Sequence, residues 1–353
     1  MGIALACAAM ACMMTACSAG SVTGGDGRKD PKVTLTDVAM GTVISITVYP
    51  GEGTSEKEGG ELAKELFGDV QRLEEETLSR RLETSEVFKL NDRAGEGYVP
   101  VSEELLELLE ECKTIWKDSD GAFDVSLGPL VELWNVDELA QDETKARLPK
   151  EQEIQEAKSR CGSDKLTVTE DGILLEAGMV LDLGSVGKGI ALDRIREKLD
   201  ARSKEDPEKG VAGIFSLGGS ILTYGEKPGG NPWKVAVTDP LNPGETIGTL
   251  SLTGTWCVST SGDYERYFVV DGVRYHHLLD PATGSPARSG LCSVTILSKS
   301  GFLSDALSTA CFVLGKEKGM ELAEKWGAEI LVVEMDGEAF LSEGFRKVYS
   351  QTK

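Results

Sequence analysis

From residue 213 to 300 the sequence reads as strand after strand. "GIFSLGGSILTYG", "WKVAVTDP", "GTLSLTGTWCVSTSG", "RYFVVDGVRYHHLLD" and "LCSVTILSKS" are β-branched or aromatic runs separated by turn residues. No helical period interrupts them, so the helical crossovers that a doubly wound parallel sheet needs have no room here. Helices flank the block instead. "GELAKELFGDVQRLEEETL" puts Leu62, Leu66, Val70 and Leu73 on one helical face, and "SEELLELLEECKTIWKDSDG" opens with Ser102 as a candidate N-cap. "KEQEIQEAKSRCG" and "GIALDRIREKLD" read as further helices, and "FLSDALSTACFVLGKEKGMELAEKWG" as two more. "TDVAMGTVISITVY" is a strand, "KLTVTEDGILLEAGMVLDLG" a hairpin of two or three strands, and "AEILVVEMDGEAFLSEGF" a closing hairpin. The expected fold is a single α+β domain with mixed, largely antiparallel sheets flanked by helices.

The first 33 residues stand apart from that body. "MGIALACAAMACMMTACSAGS" is too short an apolar run to span a bilayer as a stable helix. It reads as a secretory segment, residues 1–17, ending in a lipobox at Cys17, the residue to be lipidated; Cys12 is a weaker second candidate. The first basic residue is Arg28, so an upstream start would supply the missing basic n-region. The Gly-rich stretch 18–33 reads as a flexible tether and 34–353 as the folded domain. The expectation is a membrane-anchored lipoprotein with its body outside the cytoplasm.

Charge excludes one class of partner. With 59 acidic and 37 basic residues the net charge is −22, a field that repels phosphate backbones, so nucleic acid is not expected. A single anionic ligand remains possible where a local cation or metal overrides the field. Cys112, Cys161, Cys257, Cys292 and Cys311 are widely spaced, with no C-x-x-C, and read as small buried apolar residues.

Four segments could carry chemistry. In "LDLGSVGKGIALDRI" a strand ends at Asp182, Gly184, Gly187 and Gly189 form a turn, and a helix follows; this is a phosphate-binding geometry or simply a tight strand–helix connection. It is neither a dinucleotide fingerprint nor a Walker A loop. "SLGGSILTYG" holds a Gly pair suited to a close ligand approach or to a bend. In "SDALSTA" Asp305 and Thr309 share a helical face, hard oxygen donors suited to Mg²⁺; alternatively Ser304 or Asp305 caps the helix and Ser308 and Thr309 bond back to carbonyls. Both histidines lie in "RYHHLLDPATG". Adjacent strand residues face opposite ways, so His276 and His277 do not clamp one metal, and one of them is placed to act as a base beside the Asp280-Pro281 turn.

In order along the chain, "AMGTVISITVY", "GAFDVSLGPLVELWN", "LDLGSVGKGIALDRI", "LGGSIL", "VSTSGDYERYF", "HHLLDPATGSPA" and "SDALSTACFVLG" resemble the ApbE family of FAD:protein FMN transferases, from about residue 36 to 349. The resemblance implies Mg²⁺-dependent transfer of FMN from FAD to a Thr or Ser hydroxyl of an acceptor protein, with AMP released. It implies flavin contacts at Met40 and at Ala122, Phe123 and Asp124. Asp182 and Lys188 would serve the ribose and phosphates, and Leu279 would line the same cleft. Metal positions would be Ser185, Asp305 and Thr309, and His277 the functional histidine. Arg81 stands where an aromatic often meets the flavin and could instead pair with phosphate or ribose; Ser220 stands where an acid commonly follows the Gly pair. Family acceptors are subunits of Rnf and sodium-pumping NADH:quinone reductase complexes. Rival expectations are an FAD pyrophosphatase and a non-catalytic FAD-binding lipoprotein.

Overall fold

The computed structural model describes residues 32–51 and 53–352; the segment around Cys17 lies outside the described residues. One sheet organises the body. Its strands are β1 (Val33–Ala39), β2 (Thr42–Pro50), β3 (Val211–Leu217), β4 (Ser220–Tyr224), β5 (Trp256–Gly262), β6 (Leu291–Ser298), β7 (Glu329–Glu334) and β8 (Ala339–Leu341). Spatial order follows chain order, and every neighbouring pair is antiparallel. The α+β expectation therefore holds.

Three of the five long runs break inside, each at a glycine of positive φ: Gly218 at 59°, Gly254 at 72° and Gly272 at 76°. At Gly218 and Gly272 the chain reverses in a two-residue turn that needs that left-handed conformation, while Gly254 lies in the three-residue link that leads into β5. The hairpin expected at 165–184 shrinks to Thr167–Thr169 and Gly172–Leu174. Past the closing hairpin the sequence hid a short helix, Glu343–Val348, and a strand, Tyr349–Gln351, which joins Trp233–Thr238 and Thr246–Leu252 in a second sheet.

Period-two alternation gives the main sheet two apolar faces. Ile44, Ile46, Phe215, Leu217, Leu222, Cys257, Val294, Ile296, Ile330 and Val332 face one core, packed against helices. Ile214, Ile221, Val258, Leu297, Leu331 and Val333 face the other, covered by the second sheet and Phe345. The helices are α1 (Glu56–Arg72), α2 (Glu103–Asp118), α3 (Gly187–Glu205) and α4 (Gly301–Leu314), with several shorter ones. Ser102 caps α2 by accepting from Leu105 N–H, as its sequence predicts. Among the described residues no helix is long and apolar enough to cross a membrane.

The two layers that matter for the site are α3 and α4. Gly189 and Gly301 meet face to face: a Cβ on Gly189 would lie 2.1 Å from the Gly301 carbonyl oxygen, and one on Gly301 2.2 Å from that of Gly189. No residue larger than glycine fits at either place. This contact lays the first turn of α3 directly on α4.

Candidate active site

On the helix-covered face, hydroxyls replace apolar residues as the sheet approaches α4. Ser220 has the parity of Leu222 on β4, and Ser259 and Ser261 have that of Cys257 on β5. Ser259 bonds Ser304 and Ser261 bonds Ser308, each pair at 2.8 Å, with Thr309 Oγ1 3.4 Å from Ser261. The cap of α4 is Ser300, whose hydroxyl accepts from Leu303 N–H, not Ser304 or Asp305 as one sequence reading allowed. Asp305 thus sits inside the helix, 4% exposed, with Thr309 one turn later.

Asp305 is the centre of the cluster. Its Oδ2 accepts from Gly189 N–H at 2.7 Å, and its Oδ1 accepts from the Ser220 hydroxyl at 2.5 Å. The Lys188 ammonium lies 3.9 Å from Oδ2. Ser220 is therefore a partner of the carboxylate. The glycine turn spends its donors within the protein: Gly184 N–H goes to Asp182 Oδ1, Gly187 N–H to Leu183 O, and Gly189 N–H to Asp305. Those three amides are not open to a phosphate; the cation Lys188 is the group the turn offers to an anion.

One more acid and a base join the cluster. Glu265, absent from the sequence reading, has Oε1 3.2 Å from where a Gly219 Cβ would stand. Its side chain is exposed to solvent, yet desolvation by the protein around it raises its carboxyl above the usual range, with Lys188 and Arg266 opposing the rise. Only its nearness to Lys188 and Asp305 in the fold reveals it; no spacing in the sequence does. His277 is half-buried, and burial drives its imidazole well below the ordinary histidine range, reinforced by the positive charge of Arg266. Its Nδ1 lies 3.2 Å from the Arg266 carbonyl, which also accepts His277 N–H at 3.1 Å. A carbonyl only accepts, so Nδ1 carries the proton and Nε2 keeps its lone pair.

His276 lives in a different environment. It is 2% exposed, edge-on to Phe312 at 5.5 Å, with Nε2 3.0 Å from the Ala287 carbonyl. Burial brings its pKa down to about 4. The expectation that the pair divides between two faces describes what is seen, although His276 ends its strand, Val273–His276, and His277 lies just beyond it.

Arginines form the neighbouring wall. Arg80, which the sequence reading passed over for Arg81, bonds Asp182 Oδ2 through Nε at 2.7 Å and Glu132 at 3.0 Å. Arg81 is turned outward, 3.4 Å from Asp137, which Arg266 also meets at 2.8 Å. Arg80, Arg81, Glu132 and Asp137 border a cavity of about 440 Å³. Arg266 thus ties this wall to His277, by side chain on one side and by carbonyl on the other.

The remaining expected residues are distributed more widely. Met40 is half-buried at the β1–β2 turn, and Ser185 is half-buried two residues before α3. Ala122 and Asp124 line a second cavity of about 520 Å³ beside Asp280, while Phe123 is 1% exposed in the core. Leu279 is buried in a satellite cluster with Leu130, Trp134 and Phe268. All five described cysteines are free and buried, as expected.

Metal-binding capacity is oxygen chemistry throughout. A buried carboxylate with spare lone pairs and a loosely held hydroxyl at Thr309 suit a hard cation that retains water or substrate oxygens. Among the described residues, three acids within reach of one ion occur only at Glu334, Asp336 and Glu338 on the β7–β8 turn, where Lys316 neutralises Glu334 at 2.8 Å.

The ApbE family model matches residues 40–332. An FAD:protein FMN transferase of Treponema pallidum is 33% identical, covering 87% of this chain and 86% of its own length. One of Vibrio cholerae is 29% identical over 88% and 89%. Among solved structures, an ApbE protein of Thermotoga maritima superposes with a TM-score of 0.80 at 36% identity, covering 91% of this chain and 100% of its own. The flavin transferase of Vibrio cholerae gives 0.77 at 27%, over 90% and 99%. The chain belongs to the ApbE family.

Proposed function

We propose that this chain is an FAD:protein FMN transferase, moving FMN from FAD to a Thr or Ser hydroxyl of an acceptor protein. The observation that carries the reading is His277: a carbonyl fixes its Nδ1–H, burial keeps the ring neutral, and Nε2 remains a base near Lys188. In the proposed step Nε2 takes the acceptor hydroxyl proton while that oxygen attacks the FMN-side phosphorus of FAD. The bond from phosphorus to the bridging oxygen breaks, its electron pair leaves with AMP, and the imidazolium returns the proton to solvent.

Lys188 supplies positive charge to the diphosphate, and Arg80, held by Asp182 and Glu132, stiffens the adjacent wall. This is how so acidic a chain takes an anion. Asp305, Thr309 and Ser185 would hold Mg²⁺, which when bound neutralises charge on the phosphate oxygens. Asp305 is aimed for that role by Gly189 N–H and the Ser220 hydroxyl, which fix its rotamer.

The acceptors proposed are extracytoplasmic subunits of Rnf or sodium-pumping NADH:quinone reductase type, reached from a lipid anchor at Cys17. The short apolar run and polar tether of the first 33 residues support that location. Incubation with FAD, Mg²⁺ and a candidate acceptor domain tests the activity: a flavin-fluorescent acceptor after denaturation supports transfer. Free FMN and AMP with a dark acceptor would make water the nucleophile and the protein a pyrophosphatase.

A further inference from the structure

The β1–β2 turn breaks a local rule. Ala39 pairs with Thr42, and the two residues between them take positive φ, Met40 at 51° and Gly41 at 66°. Asn-Gly or Gly-Gly adopts such a turn readily, whereas a long side chain at its first position is strained. Strain of that kind persists only where the surroundings enforce it.

What enforces it here is Glu74. Met40 N–H donates to Glu74 Oε2 at 2.6 Å, a charge-assisted bond between residues 34 apart in sequence. Glu74 lies in Leu73–Leu78, where α1 continues as a π-helix. Such widened turns re-aim side chains and recur at functional sites. The consequence appears at the start of α3: a Cβ on Gly187 would lie 3.4 Å from Met40 Cε and 3.8 Å from Leu78 Cδ1. The Met40 thioether therefore rests on the turn of helix that presents Lys188.

We propose that Glu74 is a positioning residue for flavin binding. Its carboxylate pins the Met40 peptide in the left-handed conformation and so fixes the thioether as a wall of the FAD site beside Lys188. The inference rests on reading this site as an FAD site. Glu74 acts through Met40 and touches no reacting atom, so its loss weakens FAD binding and leaves the phosphoryl step alone.

The test is an FAD titration and steady-state kinetics on wild type, Glu74→Gln and Glu74→Ala. Glu74→Ala should weaken FAD binding on the order of tenfold, the scale of one charge-assisted hydrogen bond. Its kcat should stay within about twofold, the signature of uniform binding loss. Glu74→Gln, whose amide oxygen still accepts from Met40 N–H, should recover most of the affinity. In a Met40→Gly background positive φ costs nothing, so Glu74→Ala should lose most of its effect. A readout independent of flavin is the Met40 amide proton, expected downfield in the ligand-free wild type and displaced upfield in Glu74→Ala. Equal FAD affinity in wild type and Glu74→Ala would overturn the proposal, as would an undiminished effect in the Met40→Gly background. A wild type that binds no FAD would instead sink the reading of the site, and the amide shift in the same sample would tell the two failures apart.

Discussion

Two buried aspartates, Asp124 and Asp305, look alike by exposure, at 8% and 4%. Their surroundings differ. Asp124 accepts from Ser126 N–H at 2.8 Å and the Ser126 hydroxyl at 2.6 Å, and from Ser163 N–H at 3.1 Å and its hydroxyl at 2.7 Å. It is a knot tying residues 124–126 to 163, with four donors around one carboxylate. Asp305 accepts from one amide and one hydroxyl and faces a lysine 3.9 Å away. A buried charge that is fully bonded is structural, whereas one with capacity left over is available for chemistry. Burial alone does not separate them; unspent coordination does.

The largest effect should come from Asp305→Asn, which keeps an acceptor for Gly189 N–H while removing the charge. Metal-dependent transfer should fall about a thousandfold or more, with the melting temperature near wild type. Full activity in that variant would erase the distinction between the two aspartates. The same comparison predicts the reverse for Asp124→Ala: a stability loss of about 3 kcal/mol from orphaned buried donors, measured by denaturant unfolding. Turnover per folded molecule should drop far less than in Asp305→Asn.

The histidines sharpen the contrast at smaller scale. His277→Ala should bind FAD and transfer it roughly a hundredfold or more slowly, the usual scale of a lost general base. His276→Ala should leave turnover nearly intact yet cost about 2 kcal/mol of stability through lost packing on Phe312 and the bond to Ala287. Exchange of those two phenotypes would break the account. The smallest effect is in pH. His276 has a folded pKa of about 4 against 6.5 for an ordinary histidine. Its contribution is therefore intact above pH 6.5 and is lost as pH falls from there toward about 4, because only the unfolded chain takes up the proton. His276→Ala should flatten that part of the stability curve. For His277, lowered in the same direction, the acid limb of the transfer rate should lie below the ordinary histidine range.

Much of the fold was legible because its signals are local. Alternation marked β2, apolar and β-branched runs marked β3, β6 and β7, and Ser102 marked the start of α2. Strand breaks at Gly218, Gly254 and Gly272 were harder, since a glycine inside an apolar run reads equally as bulge or turn. The site was legible where chemistry sits in one segment, as at Asp305 and Thr309 or the two histidines. It was illegible where distant segments meet. Nothing in "SRR" favours Arg80 over Arg81 until the π-helical segment before it sets which guanidinium faces Asp182. Nothing marks Glu265 until β4, β5 and α3 converge on it. The turn at 184–189 misled in the opposite sense: its glycines suggested open amides, and α4 had already claimed one of them.

The most direct test uses the folded body from residue 32, just before β1, to 353, with FAD, Mg²⁺ and an acceptor domain. Wild type, His277→Ala and an EDTA-treated control would be denatured, separated on a gel and viewed by flavin fluorescence. The account predicts a fluorescent acceptor band for wild type, strongly reduced in His277→Ala and lost with EDTA. A band of equal strength in His277→Ala, or one indifferent to EDTA, would contradict it.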